Sequence, residues 1–252
     1  MIMYFFDHIV HFVKKPIAMV EKTGELGLHT VEGGKHEMWG TYNSLCYFGL
    51  SYIEFIGVFD EELLEQSAKI PYTLHESYKK RNKRDGFTRI AIRTSTIEED
   101  AAKLRARGYE VIGPDAFSRV RPDGSVLTWK LLHFGKKDSP FEFPFLIQWD
   151  SSDKERYHDL VKNGSIQEHP VGDVAIEEIS LIVTDLKRAD EWADLFQHEI
   201  VEKTAAYIKL KAPNCQFSFY LGQKNEIAEV KIRGAKEEKQ VILENGKYLF
   251  VR

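Results

Sequence analysis

The sequence has few cysteines, no long apolar run and almost no net charge. Its two cysteines, Cys46 and Cys215, lie in apolar stretches, which excludes a disulfide scaffold and predicts buried free thiols. No apolar run approaches the roughly 18 residues of a membrane span, and the N-terminus does not resemble a secretion signal. We therefore expect a cytoplasmic protein with no membrane partner. The 35 Lys and Arg residues against 39 Asp and Glu make nucleic acid an unexpected partner.

The sequence also lacks the short motifs of several common enzyme classes. It contains no recognisable serine or cysteine nucleophile elbow and no phosphate-cradling glycine loop before a helix. It has no aromatic motif of the kind that stacks on nucleic-acid bases. The informative features are therefore a repeat of predicted elements and a few ionisable residues in apolar strands.

A strand, a helix and three further strands follow one another three times along the chain. The three repeats are 4–58, 87–149 and 175–252. A charged helical connector at 60–84 separates the first two, and a polar linker at 151–174 precedes the third. An internal repeat of this length predicts the architecture directly. We predict an α+β protein of three βαβββ units, with a domain at 1–150 that contains the first two units and a third unit at 175–252.

Two ionisable residues lie in strands that are otherwise apolar. Alternate residues of the first strand share a face, which groups His8 with Phe6 and Val10. Glu54 lies in the middle of the strand at 52–58, where a carboxylate is costly to bury without a cation, a metal or a proton. We predict a site that contains both His8 and Glu54.

Two stretches resemble a known family. They are FDHIVHFV at 6–13 and GGKHEMWGTYNSLCYFGLSYIEFIGV at 33–58. The first-strand DH, the GG-x-H…GT-x-N loop and the Y-I-E strand resemble the bacterial glyoxalase-like domain family of the vicinal oxygen chelate superfamily. The resemblance covers 4–150 well and the third unit by topology alone. It implies that the first two βαβββ units pair into a half-barrel cup with metal ligands on equivalent first and last strands.

In that arrangement His8 and Glu54 fall at two metal-ligand positions, and Glu54 becomes the candidate catalytic residue. Aligning the second unit on the first places Arg89 opposite His8 and Gln148 opposite Glu54. Arginine has no acceptor atom and cannot ligate a cation, whereas Gln148 offers a carbonyl oxygen. A divalent metal is therefore expected to be held weakly or not at all, unless a further histidine completes the site. The candidates for that histidine are His133 and His36.

The remaining candidates are predicted to bind substrate. Arg89 and Arg93 share one strand face, and guanidinium groups suit a carboxylate or phosphate. An ion pair between Arg89 and Glu54 is an alternative that needs no metal. His36 and Asn43 lie in or beside the glycine-bounded loop, which could form one rim of the cup.

Two functions from different classes are open at this point. One is an enzyme acting on a small oxygenated metabolite, as a lyase, an isomerase or a dioxygenase, with a metal as a Lewis acid on adjacent oxygens. The other is a metal-free protein that binds or sequesters a small anionic or aromatic ligand in the same cup.

The third unit raises a question of assembly. Its strands carry apolar residues on both faces, which need a cover. Packing on the first domain or pairing with another copy would provide one. We expect the second, and therefore a homodimer, because two-fold contacts between identical surfaces are common.

Overall fold

A computed structural model describes residues 3–120 and 124–252. The sequence Pro122-Asp123-Gly124 is typical of a turn between two strands, and its first two residues lie outside the described ranges. The helices are α1 Ala18–Gly24, α2 Glu61–Ser67, α3 Leu74–Lys80, α4 Ile97–Ala106, α5 Asp153–Lys162 and α6 Lys187–Phe196. Within the described ranges, no helix is long and apolar enough to cross a membrane.

The strands form two sheets. The first contains β1 Phe5–Phe12, β2 Val31–His36, β3 Thr41–Phe48, β4 Ser51–Val58, β5 Gly86–Arg93, β6 Glu110–Val120, β7 Val126–Gly135 and β8 Phe145–Trp149. The second contains β9 Gly172–Val183, β10 Glu199–Lys203, β11 Tyr207–Lys211, β12 Gln216–Leu221, β13 Glu226–Ala235, β14 Lys239–Leu243 and β15 Gly246–Phe250.

The first sheet is the predicted half-barrel of two βαβββ units. Its strand order is β2-β3-β4-β1-β5-β8-β7-β6, so the two units meet where β1 and β5 pair antiparallel. The sheet curls until its edge strands approach each other. A Cβ atom added to Gly34 of β2 would lie only 2.9 Å from Cδ of Arg119 in β6. The α+β class and the paired half-barrel are confirmed.

A bulge in β1 changes which residues face the cup. The pairing between β1 and β5 shifts register between Phe6 and His8, at Asp7. As a result Val10 belongs to the apolar cluster inside the cup, whereas Phe6 belongs to the cluster on the outer face. The prediction that His8 and Phe6 share a face was therefore wrong, and Asp7 gains a place beside His8.

The second sheet packs against the outer face of the first. Its order is β10-β11-β12-β9-β13-β15-β14, in which the first four strands are arranged like β2-β3-β4-β1. The rings of Phe6 and Phe217 lie 6.2 Å apart between the sheets, and His11 Nδ1 lies 2.7 Å from the Tyr248 hydroxyl. One continuous apolar core joins both sheets. The apolar face that motivated the predicted homodimer is covered within the chain, so that argument for a dimer was wrong.

The predicted linker contains a helix. Ser152 and Glu155 form a reciprocal capping box, in which each side chain accepts a hydrogen bond from the other's backbone N–H, and α5 follows. Arg156 and Leu160 on the buried side of this helix reach the concave face of the first sheet. The segment 151–174 therefore contributes to the cup rather than only connecting two units.

Candidate functional site

The concave face of the first sheet encloses a cavity of about 700 Å³, including the solvent-filled space at its mouth. Most of its wall is apolar or aromatic, and includes Trp39, Tyr52, Leu127, Trp129, Leu131 and Trp149. The polar side chains that line it are His8, His36, Asn43, Glu54, Arg119 and Arg156. Four of the eight predicted site residues therefore line one cavity.

A buried carboxylate sets the tautomer of His8. Oδ1 of Asp7 lies 2.8 Å from Nδ1 of His8, and both side chains are buried. Burial raises the pKa of Asp7, but the surrounding positive charges, of which that of Arg156 is the largest, outweigh it and hold the pKa well below its usual range. An ionised Asp7 only accepts hydrogen bonds, so the proton of the neutral His8 ring lies on Nδ1. The Nε2 atom is then left as the reactive atom of the ring.

His8 Nε2 faces a second carboxylate. Oε2 of Glu54 lies 3.8 Å away, and the His8 ring stacks on Tyr52 at a centroid distance of 4.5 Å. An imidazole nitrogen and a carboxylate, two groups commonly used for general acid–base chemistry, thus lie side by side at one wall of the cavity.

Asp7 is the centre of an ion-pair network at one end of the cavity. It accepts hydrogen bonds from Arg93 at 3.1 Å, from Arg156 at 3.4 Å and from the indole of Trp149 at 3.1 Å. Arg93 also contacts Asp153 at 3.0 Å. The predicted substrate-binding residue Arg93 is therefore engaged by two carboxylates and does not line the cavity, because the bulge at Asp7 brings an acid into its path.

Asn43 connects the second carboxylate to an arginine. Its Nδ2 donates to Glu54 Oε1 at 2.6 Å, while its Oδ1 accepts from Gly34 N at 2.9 Å and from Arg119 Nη1 at 3.2 Å. His36 lies nearby, with Nδ1 3.1 Å from the Thr41 hydroxyl. Burial, reinforced by the charge of Arg119, lowers the pKa of His36 to about 3, so this ring is neutral.

Gln148 points away from the cup. Its Oε1 accepts a hydrogen bond from the backbone N–H of Ile97 at the start of α4, at 2.9 Å. In the strand register, Val10 pairs with Glu54 and the equivalent Ala91 pairs with Phe145. Phe145 therefore occupies the position that corresponds to Glu54, and the predicted placement of Gln148 there was wrong.

Arg89 and His133 lie on the second half of the first sheet, outside the set that lines the cavity. Arg89 Nη1 donates to the Ser77 hydroxyl at 3.1 Å, while its Nε and Nη2 find no partner among the described residues. His133 packs on Phe145 at a centroid distance of 5.4 Å, and its Nδ1 likewise has no partner among the described residues. Burial, together with the charge of Arg89, lowers the pKa of His133 to about 3. Within the described chain, the alternative ion pair between Arg89 and Glu54 does not form.

The donor set does not fit a divalent metal. At the four equivalent positions the chain has His8, Glu54, Arg89 and Phe145, of which only the first two can ligate a cation. The bond from Asp7 to His8 would suit a ligand histidine as well as a base. Elsewhere in 3–120 and 124–252, no three His, Cys, Asp or Glu side chains are grouped to hold a metal.

Two signatures of one family now coincide, the paired half-barrel and the His8–Glu54 pair on its first and last strands. The pattern of the glyoxalase-like domain matches residues 6–196, most of the chain. The chain belongs to the glyoxalase-like domain family. No curated protein sequence is significantly similar to it.

Solved structures with the same fold belong to the glyoxalase, or vicinal oxygen chelate, superfamily. A hypothetical protein from Staphylococcus aureus is 26% identical, with a TM-score of 0.87 over 98% of this chain and 99% of its own. The Mn(II)-bound glyoxalase from Novosphingobium aromaticivorans is 10% identical, with a TM-score of 0.57 over 99% and 83%. A mutant of 4-hydroxymandelate synthase from Streptomyces coelicolor is 10% identical, with a TM-score of 0.58 over 92% and 71%. The last two similarities are of fold alone.

Sequence reasoning missed three residues that shape the site. Asp7 is half of the DH motif, and its role was hidden because strict alternation places it on the opposite face from His8. Arg156 follows a capping box, S-x-x-E at 152–155, which signals the helix that carries it. Arg119 has no local signal, because its place depends on how far the sheet curls.

Proposed function

We propose that this glyoxalase-like protein binds a small oxygenated metabolite in the cup and moves a proton on it, as an isomerase or lyase that uses no metal. The observation that carries the proposal is the pairing of His8 Nε2 with Glu54 beside an ionised Asp7. Asp7 fixes which nitrogen of His8 is reactive, and His8 and Glu54 lie close enough together to act on one bound ligand.

The residues divide the proton transfer between them. His8 Nε2 removes a proton from a carbon next to a carbonyl group of the substrate, and Glu54 accepts that proton from His8 and delivers it to the oxygen or to the neighbouring carbon. Asn43 holds Glu54 in place through its Nδ2, and Tyr52 supports the His8 ring from one side. A positioned acid or base of this kind contributes roughly 10²- to 10⁴-fold to a rate. The apolar walls limit water around the reacting atoms.

The metal-assisted and dioxygenase alternatives have less support from the donor set. Arg89 and Phe145 stand where two further ligands would be needed, and an arginine there repels a cation. We therefore derive no step that passes through a metal, and we place the reaction on the side chains of His8 and Glu54.

The test is exchange of substrate protons with solvent. The protein is incubated in D₂O with a set of small 2-oxo and 2-hydroxy compounds with aryl or alkyl bodies, and loss of the proton next to the carbonyl is followed by ¹H NMR. Wild type should accelerate exchange for part of the set, and His8→Asn and Glu54→Gln should each reduce it by about 10² or more. The control is His158→Asn, because His158 is exposed on α5. Equal exchange in wild type and both variants would refute the proposal.

A metal-free binding protein is the second candidate, and the aromatic lining favours it. Tyr52, Trp129 and Trp149 offer flat surfaces for a ring without requiring any chemistry. Tryptophan fluorescence measures ligand binding directly. Binding that persists in the double variant His8→Asn/Glu54→Gln, with no exchange or turnover in wild type, would support this candidate over the enzyme.

A further inference from the structure

Arg119 is a cation in the cavity wall that contacts no acidic side chain among the described residues. Its Nη1 donates to the neutral side chain of Asn43 at 3.2 Å, and its Nε is buried and has no hydrogen-bond partner among the described residues. The other arginine of the cavity, Arg156, is paired with Asp7 and stacks on the Trp149 ring at 4.2 Å. Arg119 therefore differs from Arg156 in that no carboxylate of the described chain neutralises it.

The arginines next to Asp7 have acidic partners, unlike Arg119. At one end of the cavity, two carboxylates, Asp7 and Asp153, offset two guanidinium groups, Arg93 and Arg156.

His36 contributes no charge at neutral pH. Among the described residues of the cavity wall, Arg119 is therefore the arginine that no carboxylate contacts directly. A buried or half-buried cation without a counter-ion is costly, and a bound anion would remove that cost.

We propose that Arg119 binds the carboxylate of the ligand, and that the ligand class is therefore a small monocarboxylate with an apolar or aromatic body. A guanidinium fork matches a planar carboxylate with two parallel hydrogen bonds. A phosphate ester would bring a second negative charge toward Glu54, and the wall offers no second free cation in the part of the chain described. The apolar walls around Trp129 and Leu127 fit the rest of such a ligand.

The position of Arg119 also limits where the ligand reacts. Asn43 contacts Arg119 through Oδ1 and Glu54 through Nδ2, so a single amide separates the anion-binding group from the acid–base pair. A carboxylate bound to Arg119 places the carbons next to it beside His8 and Glu54. This part of the inference rests on the proposed function, whereas the binding of a carboxylate does not.

The experiment compares carboxylates with uncharged amides of the same shape. Benzoate, phenylacetate, benzamide, phenylacetamide and phenyl phosphate are titrated into the full-length protein, with tryptophan fluorescence and calorimetry as the readouts. Wild type should bind a carboxylate at least about tenfold more tightly than its amide. Arg119→Met should abolish that preference, Arg119→Lys should keep part of it, and Arg105→Met on the exposed face of α4 should leave it unchanged. Thermal unfolding of each variant checks that it folds.

The outcomes separate this inference from the proposed function. Equal affinity for carboxylate and amide, an undiminished preference in folded Arg119→Met, tighter binding of phenyl phosphate, or no carboxylate binding at millimolar concentration would each overturn it. His8→Asn should lose proton exchange but keep the carboxylate preference. Absence of exchange in wild type with an intact, Arg119-dependent preference would sink the proposed reaction and leave the carboxylate site standing.

Discussion

Asp7 and His8 are adjacent in sequence, yet their side chains meet at 2.8 Å on the same side of a strand. A regular strand would send them to opposite faces, and the bulge at Asp7 is what brings them together. The same carboxylate binds Arg93 and Arg156, so it stabilises the fold while it orients His8.

Removing the charge of Asp7 should destabilise the protein strongly. Asp7→Asn leaves two buried guanidinium groups without their shared partner, and the free energy of unfolding should fall by about 3–5 kcal/mol. Urea denaturation monitored by circular dichroism measures it. The control is Asp194→Asn, whose exposed ion pair with Arg107 should be worth less than about 1 kcal/mol. Similar losses in both variants would show that Asp7 is not central to the network.

Acidification should lower the free energy of unfolding in two successive pH ranges. Burial lowers the pKa of His36, His75 and His133 to about 3 from about 6.5, so only the unfolded chain takes up their protons as the pH falls below about 6.5. Each fully shifted histidine costs about 1.4 kcal/mol per pH unit until the pH approaches the folded value. The depressed pKa of Asp7 adds a further loss of stability below about pH 4.

Unfolding free energies between pH 7.5 and pH 4 measure this slope. His133→Leu removes one of the groups that titrates only in the unfolded state, so its stability should decline less steeply than that of wild type. A slope that is the same in both proteins would contradict the assignment of His133 as a buried neutral ring.

Arg89 and Arg93 lie on one strand but should respond oppositely to replacement. Arg93→Met breaks a buried ion pair with Asp7 and a half-exposed one with Asp153, and should cost about 3 kcal/mol. Arg89→Met removes a buried guanidinium whose one side-chain hydrogen bond among the described residues is to Ser77, so stability should be unchanged or higher by about 1 kcal/mol. The urea midpoints of unfolding of the two variants, compared with that of wild type, measure both changes in stability. A large loss for Arg89→Met would mean that this side chain has a partner or ligand in solution.

Installing the missing donors should create a metal site. Arg89→His and Phe145→Glu place two donors at the positions equivalent to His8 and Glu54, which gives four potential ligands in all. After incubation with Mn(II) or Zn(II) and dialysis, elemental analysis should find about one metal per chain in the double variant and far less in wild type. About one tightly held metal per chain in wild type, lost in His8→Ala, would show that the fit argued here is wrong.

The segment 1–150 should not fold as a stable independent domain. It lacks the second sheet that covers Phe6, and it lacks Arg156, one of the partners of Asp7. We expect aggregation or a non-cooperative unfolding curve, whereas full-length protein unfolds in one transition. Light scattering on the full chain tests the predicted homodimer at the same time. A soluble, cooperatively folded 1–150 fragment would restore the domain boundary predicted from the repeat.

The sequence predicts the repeat, the half-barrel and the pairing of His8 with Glu54 well. The repeat follows from periodicity, and the joint site of His8 and Glu54 follows from the contrast between an ionisable side chain and its apolar neighbours. The half-barrel is what the resemblance to the glyoxalase-like domain family implies. The predicted placement of Gln148 was wrong because an alignment error of an odd number of residues moves a strand residue to the other face. The prediction that Arg93 lines the cavity was wrong because the bulge at Asp7 has no signature in the sequence. The prediction that a second copy covers the apolar face of the third unit was wrong because an apolar face does not specify which surface packs on it.

The two strands that carry His8 and Glu54 have an apolar core on each side. Inside the cup β1 and β4 contribute Val10 and Ile56, and on the outer side they contribute Ile9 and Phe55 to the core shared with the second sheet. In contrast, Leu127 and Arg119 line the cavity from strands at the far edge of the same sheet. In evolution, substitutions at that edge can change which molecule enters while leaving the acid–base pair undisturbed. In the proposed enzyme, the chemistry and the choice of substrate can therefore diverge at different rates within one cup.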